Sequence, residues 1–169
     1  MNLPNGLTLL RVLLAPTIVI QLLYDYTGAA LLTFLLAGLT DALDGFFARS
    51  RRQRTDLGRV LDPLADKALL GSAFVTLGVL GDLPLWLVII GVSRDAILIV
   101  GSLLLYVQVG RLGNPPSALG KATTLLQLVT VLLAMGADLR PRLGAILSPA
   151  VWATAAATVL SGLLYIVQG

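Results

Sequence analysis

The sequence contains no cysteine, no histidine and no glutamate among its 169 residues. Without cysteine it can form neither a disulfide framework nor a thiolate metal site, and without histidine it lacks the usual general base and the commonest metal ligand. All nine acidic residues are therefore aspartate. Any chemistry that the chain performs must rest on Asp, Arg, Lys and hydroxyl side chains.

Charged residues are also scarce, at 12% of the chain, whereas 57% of the residues are hydrophobic and the mean hydropathy is +0.90. A compact soluble domain of this length could not bury so much apolar surface, so the composition predicts an integral membrane protein. The first apolar run lacks a basic n-region and a small-residue cleavage site, which favours a retained span over a signal peptide. The net charge of +3 comes from arginines predicted at the membrane interface and gives no support for nucleic-acid binding.

The apolar residues fall into six stretches, each close to the length of about 20 residues that crosses a hydrocarbon core of roughly 30 Å. They are joined by short Gly-, Pro-, Asp- and Arg-rich segments of the kind that connect antiparallel helices. We therefore predict an all-α, polytopic membrane protein that forms one domain over residues 1–169. The predicted spans are 6–24, 28–49, 58–80, 84–108, 117–137 and 146–167.

The basic residues predict the orientation of these spans. Arginines crowd the second connection, and Arg111 and Lys121 flank the fourth, whereas the first and third connections have no basic residue. Arg140 and Arg142 in the fifth connection oppose the trend. By the positive-inside rule, we expect both termini in the cytoplasm. The arginines of the second connection are Arg49, Arg51, Arg52, Arg54 and Arg59.

Five of the nine aspartates lie between residues 41 and 67. On helices, Asp41 and Asp44 share one face, and Asp62 and Asp66 share one face of the next span. If the two spans form an antiparallel hairpin, both pairs lie at similar depth, within roughly two or three turns of the cytoplasmic surface. Four carboxylates would then face one another in a medium of low dielectric constant.

Carboxylates this close take up protons or bind cations. Oxygen-only ligands suit Mg²⁺ or Mn²⁺, and a pair of such ions can hold the attacking and leaving oxygens of a phosphoryl transfer. The main alternative class is a divalent-cation transporter that uses the same aspartates. A proton relay or an internal salt bridge would also place Asp within the membrane. Transporters usually show internal repeats and broken helices, and the sequence shows neither.

The pattern Asp41-x2-Asp44-Gly45-x2-Ala48-Arg49-x8-Gly58-x3-Asp62-x3-Asp66 resembles in full the signature of the CDP-alcohol phosphatidyltransferases, membrane enzymes of phospholipid synthesis. The segments "NLPNGLTLLR", "SRDAILIVG" and "PPSALGKATTLLQ" are also similar to the family, so the resemblance covers roughly residues 2–130. It implies transfer of a phosphatidyl group from CDP-diacylglycerol to an alcohol, with release of CMP. It also implies a homodimer.

The resemblance assigns roles to individual residues. It makes the four signature aspartates ligands of two Mg²⁺ or Mn²⁺ ions and makes Asp66 the candidate base as well. Glycine leaves room for a nucleotide to approach, and an arginine fork suits a diphosphate. Helix capping is the alternative role for the two residues at the start of the first span. The metal ligands are Asp41, Asp44, Asp62 and Asp66, and the candidate CDP-diacylglycerol contacts are Asn5, Thr8, Gly45, Ala48, Arg49, Thr55 and Gly58.

The acceptor alcohol is less well defined. Arg94 is the first candidate ligand for an acceptor phosphate and Lys121 the second, although Arg94 could instead pair with Asp95 and Lys121 could be an interfacial anchor. Phosphatidylglycerolphosphate synthases commonly carry a second arginine where this chain has Ser102. The pattern slightly favours a cardiolipin synthase, which uses phosphatidylglycerol, over an enzyme that uses glycerol 3-phosphate.

Two further functions stay open: a phosphatidylinositol-phosphate synthase, and a catalytically inactive lipid-binding or assembly protein. The many arginines relative to lysines suggest a prokaryotic source, and hence an inner or plasma membrane. The orientation predicted from the basic connections puts the site on the cytoplasmic side.

Overall fold

The structure, a computed structural model, describes the backbone of residues 3–51, 56–109 and 118–168 and the side chains of residues 10–40, 65, 67–101, 118–165 and 167. Over these residues the chain is helical and contains no strand, so the all-α prediction is confirmed. The helices are α1 (Leu3–Leu23), α2 (Thr27–Arg51), α3 (Asp56–Leu80), α4 (Leu85–Val109), α5 (Ala118–Leu139) and α6 (Gly144–Gln168), with a short 3-10 helix at Pro141–Leu143.

Two of the described segments, Ala118–Leu139 and Pro141–Tyr165, are long and apolar enough to cross a membrane. Three shorter described segments are also apolar: Leu10–Leu23, Thr27–Thr40 and Lys67–Leu80. Many large apolar side chains on the described helices are exposed, including Leu13, Leu32 and Val79. The predicted six-span topology and the orientation of the termini stay predictions.

The turns between helices follow from their local sequence. Asp25 takes a positive φ of 60° between α1 and α2, a conformation that aspartate tolerates better than most residues. The Tyr26 N–H donates to the Gln21 carbonyl over 2.8 Å and closes this turn. After α3, Gly81 has a φ of 94° and ends the helix, because glycine pays no Cβ penalty there.

The chain divides into two compact units, of which the first is Met1–Leu80. In this unit α1 packs against both α2 and α3. Its core includes Ile18, Leu22, Phe34 and Leu77, all buried. Among the described residues α2 and α3 contact α1 and not each other. The first helix is therefore the element that joins the two helices carrying the acidic signature.

The second unit is Gly81–Gly169, and in it α6 packs against both α4 and α5. Trp86 of α4 and Trp152 of α6 lie with their ring centroids 5.3 Å apart and are both largely exposed. The predicted single domain over residues 1–169 stays a prediction.

Candidate active site

The four aspartates of the signature lie on two helices of the first unit. Asp41 and Asp44 belong to α2, and Asp62 and Asp66 belong to α3. The backbone is helical at all four positions, so each pair has the three- or four-residue spacing that places its members on one helix face. Their side chains lie outside the described residues. The predicted sharing of one pocket by the four carboxylates therefore stays a prediction.

The predicted nucleotide contacts fall on the same three helices. Gly45, Ala48 and Arg49 follow the first aspartate pair on α2, Gly58 precedes the second pair on α3, and Asn5 and Thr8 lie in the first two turns of α1. The side chains at these positions, and Thr55 as a whole, lie outside the described residues. Since α1 packs against both α2 and α3, all the described elements of the predicted nucleotide site belong to one packed unit.

Two small residues next to the aspartates are buried. Ala37 on α2 is fully buried and lies one turn before Asp41, and Ala65 on α3 is 2% exposed and directly precedes Asp66. Thr40 donates its hydroxyl hydrogen to the Ala37 carbonyl over 2.8 Å. An alanine at these positions lets a neighbouring helix or a long side chain approach, as small residues commonly do between membrane helices.

Arg11 on α1 is a charged residue that the sequence did not single out. Its side chain is only 3% exposed. A buried guanidinium is costly unless a negative charge compensates it. The acidic residues of this unit are therefore the candidates for compensating the charge of Arg11. The signal in the sequence was the single charged residue within the mostly apolar stretch from Leu7 to Leu23.

Arg94, the first candidate for binding the acceptor, is 5% exposed and is held by neighbours in its own unit. Its Nη1 donates to Asp95 Oδ1 over 2.7 Å, and its Nη2 donates to Ser161 Oγ on α6 over 2.7 Å. A longer contact of 3.5 Å joins Nη2 to the Gly120 carbonyl on α5. The pairing with Asp95 that the sequence left open is therefore present, and α6 adds a second partner.

The Nε–H of Arg94 is buried, and no residue that the structure describes accepts a hydrogen bond from it. Lys121, the second candidate, is exposed and directly follows Gly120 in the first turn of α5. The structure thus brings the Arg94 guanidinium next to the turn of α5 that carries Lys121. Neither the contacts of Arg94 nor the position of Lys121 tests the predicted binding of an acceptor phosphate.

Two polar stripes inside the second unit were also missed in the sequence. Thr123, Gln127 and Thr130 repeat at helical spacing on α5 and are buried, and a second stripe at the same spacing lies on α6. The stripes are joined where the hydroxyls of Thr130 and Thr154 lie 2.8 Å apart and where Thr123 donates to the Ala157 carbonyl over 3.1 Å. The residues of the stripe on α6 are Thr154, Thr158 and Ser161.

Comparison with known proteins gives a family match over nearly the whole chain. The model of the family described as "CDP-alcohol phosphatidyltransferase" matches residues 1–162. A "Probable phosphatidylglycerophosphate synthase" of Mycobacterium tuberculosis is 36% identical over 99% of this chain and 81% of its own length. A "CDP-diacylglycerol--glycerol-3-phosphate 3-phosphatidyltransferase" of Aquifex aeolicus is 39% identical over 78% of this chain and 74% of its own length.

A human protein with a different name is also similar to this chain. The human "Cardiolipin synthase (CMP-forming)" is 35% identical over 80% of this chain and 50% of its own length. The matched region of this chain includes the whole acidic signature on α2 and α3. Relatives of both names therefore share similarity with the helices that carry the candidate metal ligands.

Proposed function

The chain belongs to the CDP-alcohol phosphatidyltransferase family, and on that premise we propose that it transfers a phosphatidyl group from CDP-diacylglycerol to an alcohol, with release of CMP. The complete signature carries this proposal, because its four aspartates fall on two helices that pack against a common third helix. An inactive relative would not need to keep all four carboxylates.

The donor set fits a hard divalent cation. Four aspartates supply only oxygen ligands, and two come from each of two helices in one unit. Oxygen ligands of this kind suit Mg²⁺ and Mn²⁺, which keep free positions for water and phosphate. Asp41, Asp44, Asp62 and Asp66 would hold the ions, and bound ions would neutralise the diphosphate and the leaving CMP.

The protein's own residues then perform the remaining steps. Arg49 offers its planar fork to the diphosphate, and Gly45 and Gly58 leave room for the nucleotide. Asp66 accepts the proton of the acceptor hydroxyl as the hydroxyl oxygen bonds to the phosphorus that carries diacylglycerol. The bond between that phosphorus and the oxygen bridging to CMP breaks, and CMP departs with the bonding electrons.

For the acceptor we propose phosphatidylglycerol, which would make the chain a cardiolipin synthase. Glycerol 3-phosphate carries close to two negative charges at neutral pH and needs several cations to bind it. Here position 102 is serine, and Arg94 is already paired with Asp95. A phosphatidylglycerol head group has one negative charge and needs less compensation. Lys121 can supply one positive charge, and Arg94, whose charge Asp95 largely neutralises, can donate hydrogen bonds.

Glycerol 3-phosphate is the second candidate acceptor. It is favoured by the Aquifex relative, whose name gives glycerol 3-phosphate as the acceptor and which aligns over most of its own length. The Mycobacterium relative, named as a phosphatidylglycerophosphate synthase, also aligns over most of its length. By contrast, the human cardiolipin synthase aligns over half of its length.

We place the enzyme in a prokaryotic inner membrane as a homodimer with six spans, both termini and the site facing the cytoplasm. The exposed apolar side chains of the described helices support contact with lipid. The two segments long enough to cross a bilayer support it further.

Product analysis tests the proposal. The purified protein in detergent receives CDP-diacylglycerol and Mn²⁺ with phosphatidylglycerol, glycerol 3-phosphate, inositol phosphate or no acceptor, and both CMP and labelled lipid are measured. We expect CMP and cardiolipin with phosphatidylglycerol, and neither product in EDTA. A product with glycerol 3-phosphate alone would overturn the proposed acceptor. Mn²⁺ uptake into proteoliposomes with no CMP release under any condition would instead support the transporter alternative.

A further inference from the structure

The buried residues of α1 and α2 show how these two helices are aligned. Counted from Tyr26 in the turn, Leu22 lies four residues before it and Ala30 four residues after it. Ile18 and Phe34 lie eight residues away on the two sides. All four are buried at 3% exposure or less, and α1 packs against α2. The two helices therefore form an antiparallel hairpin in which residues at equal distance from Tyr26 lie at equal depth.

The same alignment continues toward the acidic signature. Ala15 and Ala37 are both buried and lie eleven residues from Tyr26 on either side. The next buried residue of α1 is Arg11, fifteen residues before Tyr26, and the residue fifteen positions after Tyr26 is Asp41. On α2 the sequence positions 30, 34, 37 and 41 repeat the helical spacing of the buried residues on α1. The register thus places Arg11 and Asp41 in the same layer of the hairpin.

Charge balance supports the same partner. Arg11 is 3% exposed, and a guanidinium removed from water requires a nearby negative charge. The first unit contains six carboxylates, of which five lie between residues 41 and 66. The sixth, Asp25, is exposed and lies in the turn after α1, beyond a helical rise of about 18 Å from Arg11 to Leu23. The compensating charge within this unit must therefore come from the five aspartates between residues 41 and 66.

We propose that Arg11 is a positioning residue that pairs with Asp41 and supplies a fixed positive charge to the acidic cluster. The pair holds the Asp41 carboxylate in place before metal binds and offsets part of the repulsion among the four aspartates. The proposal rests on the proposed function only in taking the four aspartates as one metal-binding group.

A double-mutant cycle in EDTA tests the pair without using activity. Thermal unfolding in detergent is measured for the wild type, Arg11→Met, Asp41→Asn and the double variant. We expect Arg11→Met to lower the melting temperature by roughly 6–20 °C, because it removes the positive charge that compensates Asp41. Adding Asp41→Asn to Arg11→Met should recover at least half of the lost melting temperature. In the presence of Arg11, Asp41→Asn should not raise the melting temperature.

Two further variants separate pairing from a general relief of repulsion. Asp25→Asn removes the same charge at the far end of the hairpin and should restore nothing in the Arg11→Met background. Asp66→Asn should restore less than Asp41→Asn, and an equal or larger effect would overturn the assignment to Asp41. Additive effects of Arg11→Met and Asp41→Asn would overturn the pair itself. If Arg11→Met yields no folded protein, recovery of folded protein on adding Asp41→Asn supports the pair, and no recovery overturns it.

Discussion

Asp62 has a charge that asparagine cannot replace. Asparagine keeps the size of the side chain but removes the negative charge that a hard divalent cation requires. Since loss of a group that only orients a metal ligand already costs 10–100-fold, we expect Asp62→Asn to lower the rate of CMP release by at least ~100-fold. The rate is measured with saturating Mn²⁺ and CDP-diacylglycerol. Asp25→Asn, at an exposed position in the α1–α2 turn, is the control and should retain the wild-type rate.

Ser161 stabilises the second unit through its bond to Arg94. Its hydroxyl oxygen is buried and accepts a hydrogen bond from Arg94 Nη2 over 2.7 Å. Ser161→Ala leaves that N–H without its partner, which costs about 1–3 kcal/mol. We expect a fall in melting temperature of roughly 2–12 °C. Ser93→Ala, exposed on α4, should leave the melting temperature unchanged, and an equal effect of both variants would contradict this role of Ser161.

Among single residues, the sequence was enough to identify the four signature aspartates but not the residues whose roles depend on packing. Charged residues at helical spacing can be recognised in the sequence alone, which was enough to identify the four aspartates. They are Asp41, Asp44, Asp62 and Asp66. Arg11 and Ser161 are single residues whose roles depend on what packs beside them. Their partners lie 30 or more positions away along the chain, and only the pairing of helices brings such positions together.

Helices α5 and α6 are joined by polar side chains in addition to apolar packing. The hydroxyls of Thr130 and Thr154 are fully buried and form a hydrogen bond over 2.8 Å. Valine has nearly the shape of threonine and lacks the hydroxyl, so each single Thr→Val variant leaves one buried hydroxyl without this partner. Replacing both partners removes that penalty. We expect the double variant to lose less stability than the sum of the two single variants.

The coupling is measured from melting temperatures of Thr130→Val, Thr154→Val and the double variant. Its size should be about 0.6–1.7 kcal/mol, the range typical of hydrogen bonds between membrane helices. Thr124→Val is the matched control, because Thr124 lies on the exposed face of α5. Strictly additive losses would show that the two hydroxyls do not depend on each other.

The helices themselves were largely predictable from the sequence. Apolar length and the short polar connections located all six, with bounds that differ by up to three residues from the described ones. The 3-10 helix at Pro141–Leu143 was missed, because "ADLRPRLG" was interpreted as a connection. Proline fixes φ near −65° and lacks an N–H, which suits the first position of a helical turn. α6 consequently begins at Gly144 and not at residue 146.

The orientation of the whole molecule can be tested because the chain has no cysteine. Tyr26 lies in the first connection and Lys121 at the start of α5, and both are exposed. We expect a membrane-impermeant maleimide to label Tyr26→Cys in intact cells and Lys121→Cys only after permeabilisation, because the basic connections stay in the cytoplasm. The opposite labelling pattern would reverse the proposed topology and place the site outside.

The division into two three-helix units was not predictable from the sequence. In each unit one helix packs against the other two: α1 in the first and α6 in the second. Which helices contact one another depends on side-chain shape along whole faces, and apolar composition does not record that shape. The acidic signature revealed the chemistry of the first unit. It carried no information about α6, whose polar residues hold Arg94 and α5.

Metal binding by the purified protein tests the central claim most directly, namely that the aspartates of α2 and α3 bind divalent cations together. Mn²⁺ binding is measured by electron paramagnetic resonance in detergent with CDP present, for the wild type, Asp41→Asn, Asp62→Asn and the control Asp25→Asn. We expect two bound ions in the wild type and in the control, and at least a tenfold weaker affinity in each signature variant. The claim would be contradicted if Asp41→Asn and Asp62→Asn both bound Mn²⁺ with the wild-type affinity, or if the wild type bound no Mn²⁺.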